Sequence, residues 1–457
     1  MTYSIIQKSQ LEGAQRLDAE YFQPVYLEIE KKLNSIPTET IAEISSSVVN
    51  FGAYSLCNFI VWQESGVPYI NVGDVKDGHI DYSNIKYIDE KVNEILKKSQ
   101  VEEGQIILTM AGSIGNVAVA HNVPDRINSN QATAKITLKE GYSAYYIAAF
   151  LLSQYGQNQI KREIVSSVQP NIFLFQIKDF KVPIASEKQQ LEIEKLYKES
   201  LKELDNSKLF NKQAEDLLLE ELGLKDFKPE ENIFSIVNLS DIQAANRIDA
   251  EFFQIKFQKL LEKMKSNNPK KLGDLVSIKK GFEPGSEAYQ EEGKSFIRVS
   301  NLSKDGLVDG DQKYLTEELY KKLKQSFQPK VGETLLTKDA TPGIAYVLKE
   351  PIEGIVSGGI LRLKTKDGID NEYLSLVINS IIGQYQAERD AGGSIIAHWK
   401  PEQIKNILIP ILPQPTQQKI AELIRKSHLA RQKSKELLDE AKRKVETSIG
   451  NSCLKSH

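Results

Sequence analysis

Cysteine is almost absent: Cys57 and Cys453 are the only two in 457 residues. A pair so far apart offers neither a disulfide framework nor a metal-ligand spacing, and free thiols suit a reducing, cytoplasmic setting. The five histidines, His79, His121, His398, His428 and His457, are scattered and form no HExxH or HxxxH arrangement. No apolar run approaches the ~20 residues of a membrane span, and the polar start MTYSIIQKSQLEG has no signal-peptide core. A phosphate-binding loop is missing too, since Gly285 to Lys294 has the wrong spacing. The glycines of Ala391-Gly392-Gly393-Ser394 follow a helical pattern rather than a strand, which argues against a dinucleotide loop. Nor is there an excess of positive charge: 59 Lys and Arg face 62 Asp and Glu, a net −3. A polyanionic partner would have to be met by local clusters of basic side chains. These absences lead to the expectation of no catalytic centre, no metal and no cofactor.

What is present is a duplication. Residues 14–33, AQRLDAEYFQPVYLEIEKKL, return at 245–264 as ANRIDAEFFQIKFQKLLEKM. Arg16, Asp18, Ala19, Glu20, Phe22 and Gln23 recur as Arg247, Asp249, Ala250, Glu251, Phe253 and Gln254. An alternating stretch, VPYINVGDVKDGHI, is matched by KSFIRVSNLSKDGLV, each reading as a buried strand and then a turn at Lys76–Gly78 or Lys304–Gly306. GQIILTMAGSIGNVAV (104–119) matches GETLLTKDATPGIAYV (332–347), a strand ending in Thr, a polar turn with glycine, and a second strand. One helix follows in each half, then a polar loop, then KVPI or LIPI.

Each half closes with a long helix. SEKQQLEIEKLYKESLKELDNSKLFNKQAEDLLLEELG runs from a capping box at Ser186 and Gln189 to a left-handed stop at Gly223. Ile193, Tyr197, Ser200, Leu204, Ser207, Asn211, Ala214 and Leu218 step by fours and threes, a coiled-coil seam. The seam returns 227 residues on as Ile420, Ile424, Ser427, Arg431, Ser434, Leu438, Ala441 and Val445, with Gly450 as the second stop. Residues 187–226 hold seven Lys against eleven acids, while 417–449 hold nine Lys and Arg against five acids. Opposite charge favours pairing of the unlike helices. At ~1.5 Å per residue the first helix spans roughly 54 Å, enough to hold two modules one DNA turn, ~34–36 Å, apart.

The duplicated RLDAEYF/RIDAEFF boxes, the VPYINVGDV and SFIRVSNL strands, the KVPI and LIPI exits and the two long helices resemble the type I restriction–modification specificity subunits. That resemblance implies an α/β (α+β) fold of two similar mixed α/β target recognition domains, joined by two long helices that form an antiparallel coiled coil with pseudo-two-fold internal repeat. Residues 1–185 and 227–413 would be the recognition domains, and 186–226 and 414–457 the spacer helices. It also implies as partners double-stranded DNA with a bipartite target, two modification (methyltransferase) subunits and restriction subunits, with no chemistry in this chain. Consistently, no Pro-Pro pair occurs, so the Asn/Asp-Pro-Pro-aromatic motif expected of an adenine-N6 methyltransferase is missing.

Base readout needs Arg, Lys, Asn, Gln, Ser or Thr at base edges, with further donors to phosphates. In the first half the candidates are Asn50, Tyr54, Asn71, Thr109, Ser113, Asn116, Asn130, Gln131, Arg162, Ser167, Gln169 and Asn171. In the second half they are Lys279, Lys280, Arg298, Asn301, Thr337, Lys338, Thr341, Ser357, Ser394, His398 and Lys400. Any one of them reads equally as a solvated loop or capping residue. The RLDAEYF boxes read as scaffold: Arg16 and Glu20 would pair at i, i+4 on a helix, as would Arg247 and Glu251, with the aromatics as core anchors. Two other functions stay open: a coiled-coil interaction scaffold without DNA specificity, which the acidic balance suits, and an enzyme with an unrecognised active site.

Overall fold

The computed structural model describes residues 3–455 except 15, 53–57, 166–169, 229–233, 309–310 and 393–396. The chain divides into two compact units. Unit 1 holds residues 1–205 and 431–457, and unit 2 holds 206–430.

In unit 1 an antiparallel sheet has the order β1 (Ser45–Val49), β6 (Thr133–Leu138), β3 (Ile106–Thr109), β4 (Val117–Val119). In a second sheet, β2 (Val67–Ile70) lies parallel to the short β5 (Asn128–Ser129). The strands β3 and β4 are buried throughout and Val-, Ile- and Leu-rich, as a sheet covered on both faces requires. Two helices cover it, α1 (Ala144–Leu152) and α2 (Gln154–Glu163). Reading the sequence gives one helix here, but the structure breaks it at Ser153, which is extended (ψ 167°) and turns its hydroxyl to the Phe150 carbonyl at 2.6 Å. Gly156 follows because a Cβ there would lie 2.4 Å from Leu151 Cα and from the Phe150 carbonyl.

The helix α3 (Glu187–Glu221) starts from the expected capping box, with Ser186 N–H on Gln189 Oε1 at 3.1 Å and Gln189 N–H on Ser186 Oγ at 3.4 Å. It ends at Gly223, whose φ of +66° few other residues accept.

Unit 2 repeats the plan. β7 (Val276–Lys280), β12 (Ile360–Thr365), β9 (Thr334–Thr337) and β10 (Ala345–Val347) form the antiparallel sheet, while β8 (Lys294–Ile297) pairs in parallel with β11 (Gly354–Val356). The covering helices are α4 (Asn371–Asn379) and α5 (Ile381–Asp390), broken at Ser380 as the first pair is at Ser153. The final helix α6 spans Gln414–Lys455 and runs through Gly450, so that glycine is no stop.

Each unit also builds its core on one stretch of both long helices. In unit 1, Ile193, Tyr197 and Leu201 join Ala441, Val445 and Ile449 under α1; in unit 2, Ala214, Leu218 and Leu222 join Ile420 and Ile424 under α4. Within unit 1 the stretches run antiparallel, since Glu192 meets Lys444 at 2.6 Å and Glu203 meets Lys433 at 2.5 Å. These exposed pairs set direction more than stability. Buried serines tie the two stretches together, with Ser200 Oγ donating to the Ser434 carbonyl at 2.8 Å in unit 1 and Ser427 Oγ donating to the Ser207 carbonyl at 2.8 Å in unit 2. The expected seam is thus buried apart from Asn211, Arg431 and Leu438, which are partly covered. Among the described residues no helix is long and apolar enough to cross a membrane.

Both units bury a cation at one strand position. In unit 2 it is Arg362, whose guanidinium donates to the Ser326 carbonyl at 2.7 Å and to the Gln328 carbonyl. In unit 1 it is Lys135, fully buried, with Nζ 3.3 Å from Ser129 Oγ. Desolvation pushes the Lys135 ammonium from 10.5 down to about 8. Between those values the unfolded chain binds the proton and the folded chain does not, so stability rises with pH across that window and is flat below it. At neutral pH the buried charge costs about 3 kcal/mol. Lys135→Met is therefore expected to raise the melting temperature at pH 7 and to remove that slope between pH 8 and 10.5, as a series of thermal melts would record.

Candidate nucleic-acid interface

At the C-terminal ends of β2 and β3 four segments of unit 1 converge. Asn130 N–H donates to the Ile70 carbonyl at 2.9 Å, Met110 N–H to Ala132 at 2.7 Å, and Ile172 N–H to Met110 at 3.0 Å. Asn171 bridges Ala111 and Val165, closing the loop after α2 onto the turn after β3. Unit 2 repeats this corner bond for bond. Ser357 N–H donates to Ile297 at 2.8 Å, Lys338 N–H to Gly359 at 2.9 Å, and Trp399 N–H to Lys338 at 2.8 Å, while His398 bridges Asp339 and Gly392.

The turn after each strand is held from within. Thr109 Oγ1 donates to the Ser113 carbonyl and accepts from Asn116 N–H at 2.9 Å; Thr337 Oγ1 donates to the Thr341 carbonyl and accepts from Ile344 N–H at 2.9 Å. Gly115 (φ +92°) and Gly343 (φ +94°) let the chain double back, and Gln157 and Gln384 each donate to the carbonyl of that glycine, at 2.9 and 2.7 Å. The same skeleton therefore presents different side chains: Asn71, Met110, Ala111, Ser113, Gln131 and Asn171 in one unit, Arg298, Lys338, Asp339, Thr341, Gly358 and His398 in the other.

This separates the residues expected to meet DNA into two groups. Ser113, Thr341, Lys400, Lys279 and Lys280 are exposed, and Asn50, Asn71, Asn116, Asn130, Gln131, Asn171 and Lys338 are partly so. Several of the latter are already engaged inside the corner. Asn116 Nδ2 donates to Val75 at 2.8 Å, Asn130 Oδ1 accepts from Ala132 N–H at 2.9 Å, and Asn50 Oδ1 accepts from Gly52 N–H at 3.2 Å. Asn71 and Arg298 occupy the same place before a short 3-10 turn, Asn71 N–H on Asp74 Oδ2 at 2.7 Å and Arg298 N–H on Asn301 Oδ1 at 3.1 Å. The Arg298 guanidinium is ion-paired with Asp311 at 2.8 Å.

Four of the expected residues are buried. Thr109, Thr337 and Asn301 spend their side chains on the turns just described, and Ser357 is buried where Phe282 N–H meets the adjacent Val356 carbonyl at 2.8 Å. All four lie in the frame of the corner. Arg162 is likewise engaged within the fold. Its Nε donates to the Tyr21 carbonyl at 3.1 Å, it lies 3.2 Å from Glu30, and it stacks 4.2 Å from the Tyr21 ring centroid. Tyr54, Ser167, Gln169 and Ser394 lie outside the described residues.

Asp339 was missed in the sequence, yet it is the hub of the second corner. It accepts from His398 Nδ1 at 2.8 Å and pairs with Lys338. The signal was available, because the repeat aligns it with Ala111 and so marks a change from small to charged. Trp399, in the 394–400 stretch expected to meet DNA, is instead buried, and its indole N–H has no acceptor among the described residues.

The arginine boxes are not helical, and Arg16 pairs with Asp18 rather than Glu20. A two-point fork joins Arg16 Nε and Nη2 to the Asp18 carboxylate at 2.8 and 2.7 Å, and Arg247 joins Asp249 at the same distances. The hydrogen bonds within each fork hold the guanidinium above, and the carboxyl below, its ordinary pKa. Spare guanidinium donors reach the last carbonyls of the second covering helix: Glu163 at 3.4 Å and Ile164 at 3.5 Å in unit 1, Arg389 at 3.2 Å and Asp390 at 3.1 Å in unit 2. A cation at a helix C-terminus meets unpaired carbonyls and the negative end of the dipole. The box thereby grips the helix immediately before the loop that closes the corner. Phe22 and Phe253 are the buried anchors.

A frame repeated twice in one chain, with variable side chains on an invariant corner, defines a two-module recognition protein. The family described as "Type I restriction modification DNA specificity domain" matches residues 48–216 and 264–439, three-quarters of the chain, and the chain belongs to that family of specificity subunits. Among similar proteins, the type I restriction enzyme MjaIX specificity subunit of Methanocaldococcus jannaschii is 24% identical over 384 residues, 78% of this chain and 79% of that one. The type I restriction enzyme EcoBI specificity subunit of Escherichia coli is 25% identical over 165 residues, 35% of this chain and 34% of that one. The crystal structure of the type I restriction–modification S subunit from M. genitalium covers 90% of this chain and 95% of its own, with TM-score 0.41 and 14% identity.

Proposed function

We propose that this chain reads a bipartite duplex DNA sequence, one half-site at each corner, and carries two modification subunits to it, with restriction subunits joining the complex. The observation that carries this reading is the corner itself, which keeps its backbone hydrogen bonds in both units and changes its side chains between them. Two readers of one construction and different surface suit an asymmetric two-part target. Within each corner the exposed and half-exposed groups supply base-edge donors and acceptors: Ser113, Gln131 and Asn171 in unit 1, Lys338, Thr341 and His398 in unit 2. Lys279, Lys280 and Lys400 supply phosphate contacts. The chain leaves methyl transfer to its partners.

Footprinting of the chain with its modification subunit tests this. Two protected blocks of fixed spacing are expected, with affinity falling steeply as salt rises. Lys280→Ala should weaken all sequences alike and lower the salt slope by about one, whereas Lys338→Ala should relax one base position. Absence of any protected bipartite site, or methyl transfer from S-adenosylmethionine by this chain alone, would overturn the reading.

A further inference from the structure

The stretch before each arginine box repeats as well, and the fold makes little use of it. Tyr3-Ser4-Ile5-Ile6 returns as Phe234-Ser235-Ile236-Val237 and Leu17 as Ile248, all displaced by 231 in step with the arginine boxes. Both four-residue stretches lie outside helix and strand, and their faces alternate in one register: the first and third residues are exposed, the second and fourth partly covered. The exposures agree closely, 80% and 77% for Tyr3 and Phe234, 89% and 92% for Ile5 and Ile236, 84% and 85% for Leu17 and Ile248. The helix after each stretch, Lys8–Ala14 or Leu239–Ala245, buries no residue. No backbone group of residues 3–6 or 234–237 pairs with another backbone group among the described residues.

Single exposed apolar residues are ordinary. The duplication supplies an internal standard for what happens to them. Phe175, Leu191, Leu209 and Leu429 are exposed and apolar, and the positions 227 away hold Glu402, Gln418, Glu436 and Lys202. At these four positions the other half carries a polar residue, whereas the exposed Ile184 is matched by the partly covered Ile411. At the three repeated positions both halves stayed apolar at nearly full exposure. A segment outside helix and strand, with alternating apolar side chains and no backbone hydrogen bond among the described residues, can add to the edge of another protein's sheet, the side chains filling pockets and the backbone completing the ladder.

We propose that Tyr3–Ile6 and Phe234–Val237 are two equivalent docking segments, each taken up by one copy of the same protein subunit. That subunit offers a sheet edge beside an apolar pocket for an aromatic ring. Two like segments call for two like partners, and under the proposed function the partner is the modification subunit. Leu17 and Ile248 extend each apolar surface.

The full chain is co-expressed with that subunit and its stoichiometry read by native mass spectrometry. The variant Tyr3→Asp/Ile5→Asp and the variant Phe234→Asp/Ile236→Asp should each lose one of two partner copies. The fourfold variant should bind at least tenfold more weakly. Tyr3→Phe/Ile5→Val and the control Phe175→Glu should keep both copies, and the free variants should melt as the parent does, because the altered side chains touch little of the fold. Unchanged binding of two copies by the fourfold variant overturns the proposal. So does a wild-type chain that self-associates through these segments, which would assign them to a second copy of this chain. Footprinting of the wild-type complex separates the two questions, since a protected bipartite site with unaffected stoichiometry sinks the docking segments and leaves the proposed function standing.

Discussion

Replacing residues 40–180 by the corresponding stretch of another specificity subunit should change one half of the recognised DNA sequence and leave the other half as it was. The structure gives this exchange a natural seam. The two ends of the stretch meet in a two-stranded antiparallel ribbon, Thr38–Thr40 against Lys181–Pro183, with Ile41 N–H on the Phe180 carbonyl at 2.9 Å. Unit 2 has the same neck, Lys270–Lys271 against Leu408–Ile409, with Leu272 N–H on the Ile407 carbonyl at 2.9 Å. A module whose ends are neighbours can be exchanged without moving the chain on either side, provided the incoming stretch keeps the apolar face that packs on Ile193, Tyr197, Ala441 and Val445. Each mismatched base pair costs about 1–3 kcal/mol, so two mismatches in the exchanged half should separate old and new targets by roughly thirtyfold or more. Mapping methylated sites in cells that carry the hybrid with its modification subunit reads the result. A hybrid that changes both halves, or neither, would contradict the assignment of one half-site to each unit.

The second large effect is expected at Arg247. Its fork to Asp249 and its grip on the carbonyls of Arg389 and Asp390 hold the helix that leads into the loop of the second corner. Hydrogen bonds to a charged group are worth about 1.5–3 kcal/mol each. Arg247→Ala should therefore weaken DNA binding roughly tenfold to a hundredfold, and the loss should fall on the half-site read by unit 2. Lysine should not restore it, since a point charge cannot make the two-point contact with Asp249. Arg16→Ala should do the same to the other half-site. Competition binding with duplexes altered in one half at a time distinguishes this from a general loss of fold, which would weaken both halves and lower the melting temperature.

Repetition in the chain was enough to reveal the architecture. Arg16 to Gln23 against Arg247 to Gln254, and Ile193 to Leu218 against Ile420 to Val445, placed two like units and two long helices, because burial patterns and caps are properties of neighbouring residues and survive in one dimension. Local chemistry was less reliable wherever a distant partner competes. Arg16 chose Asp18 and the carbonyls 147 and 148 residues away over Glu20. Ser153 and Ser380 broke helices that looked continuous, since Gly156 and Gly383 pack against the preceding helix end. Arg162, placed in the sequence among candidate DNA contacts, braces Tyr21 within the fold.

The repeat also told where the loops lie, and pairing of distant backbone groups decided which loop residues face outward. Thr109 and Ser113 look equally polar in one dimension. The strand end buries one hydroxyl inside its own turn and exposes the other side chain, because an unpaired backbone group at a buried turn must be satisfied by the nearest available oxygen. Asp339 gained its place between Lys338 and His398 in the same way, from a bridge that joins residues 59 apart.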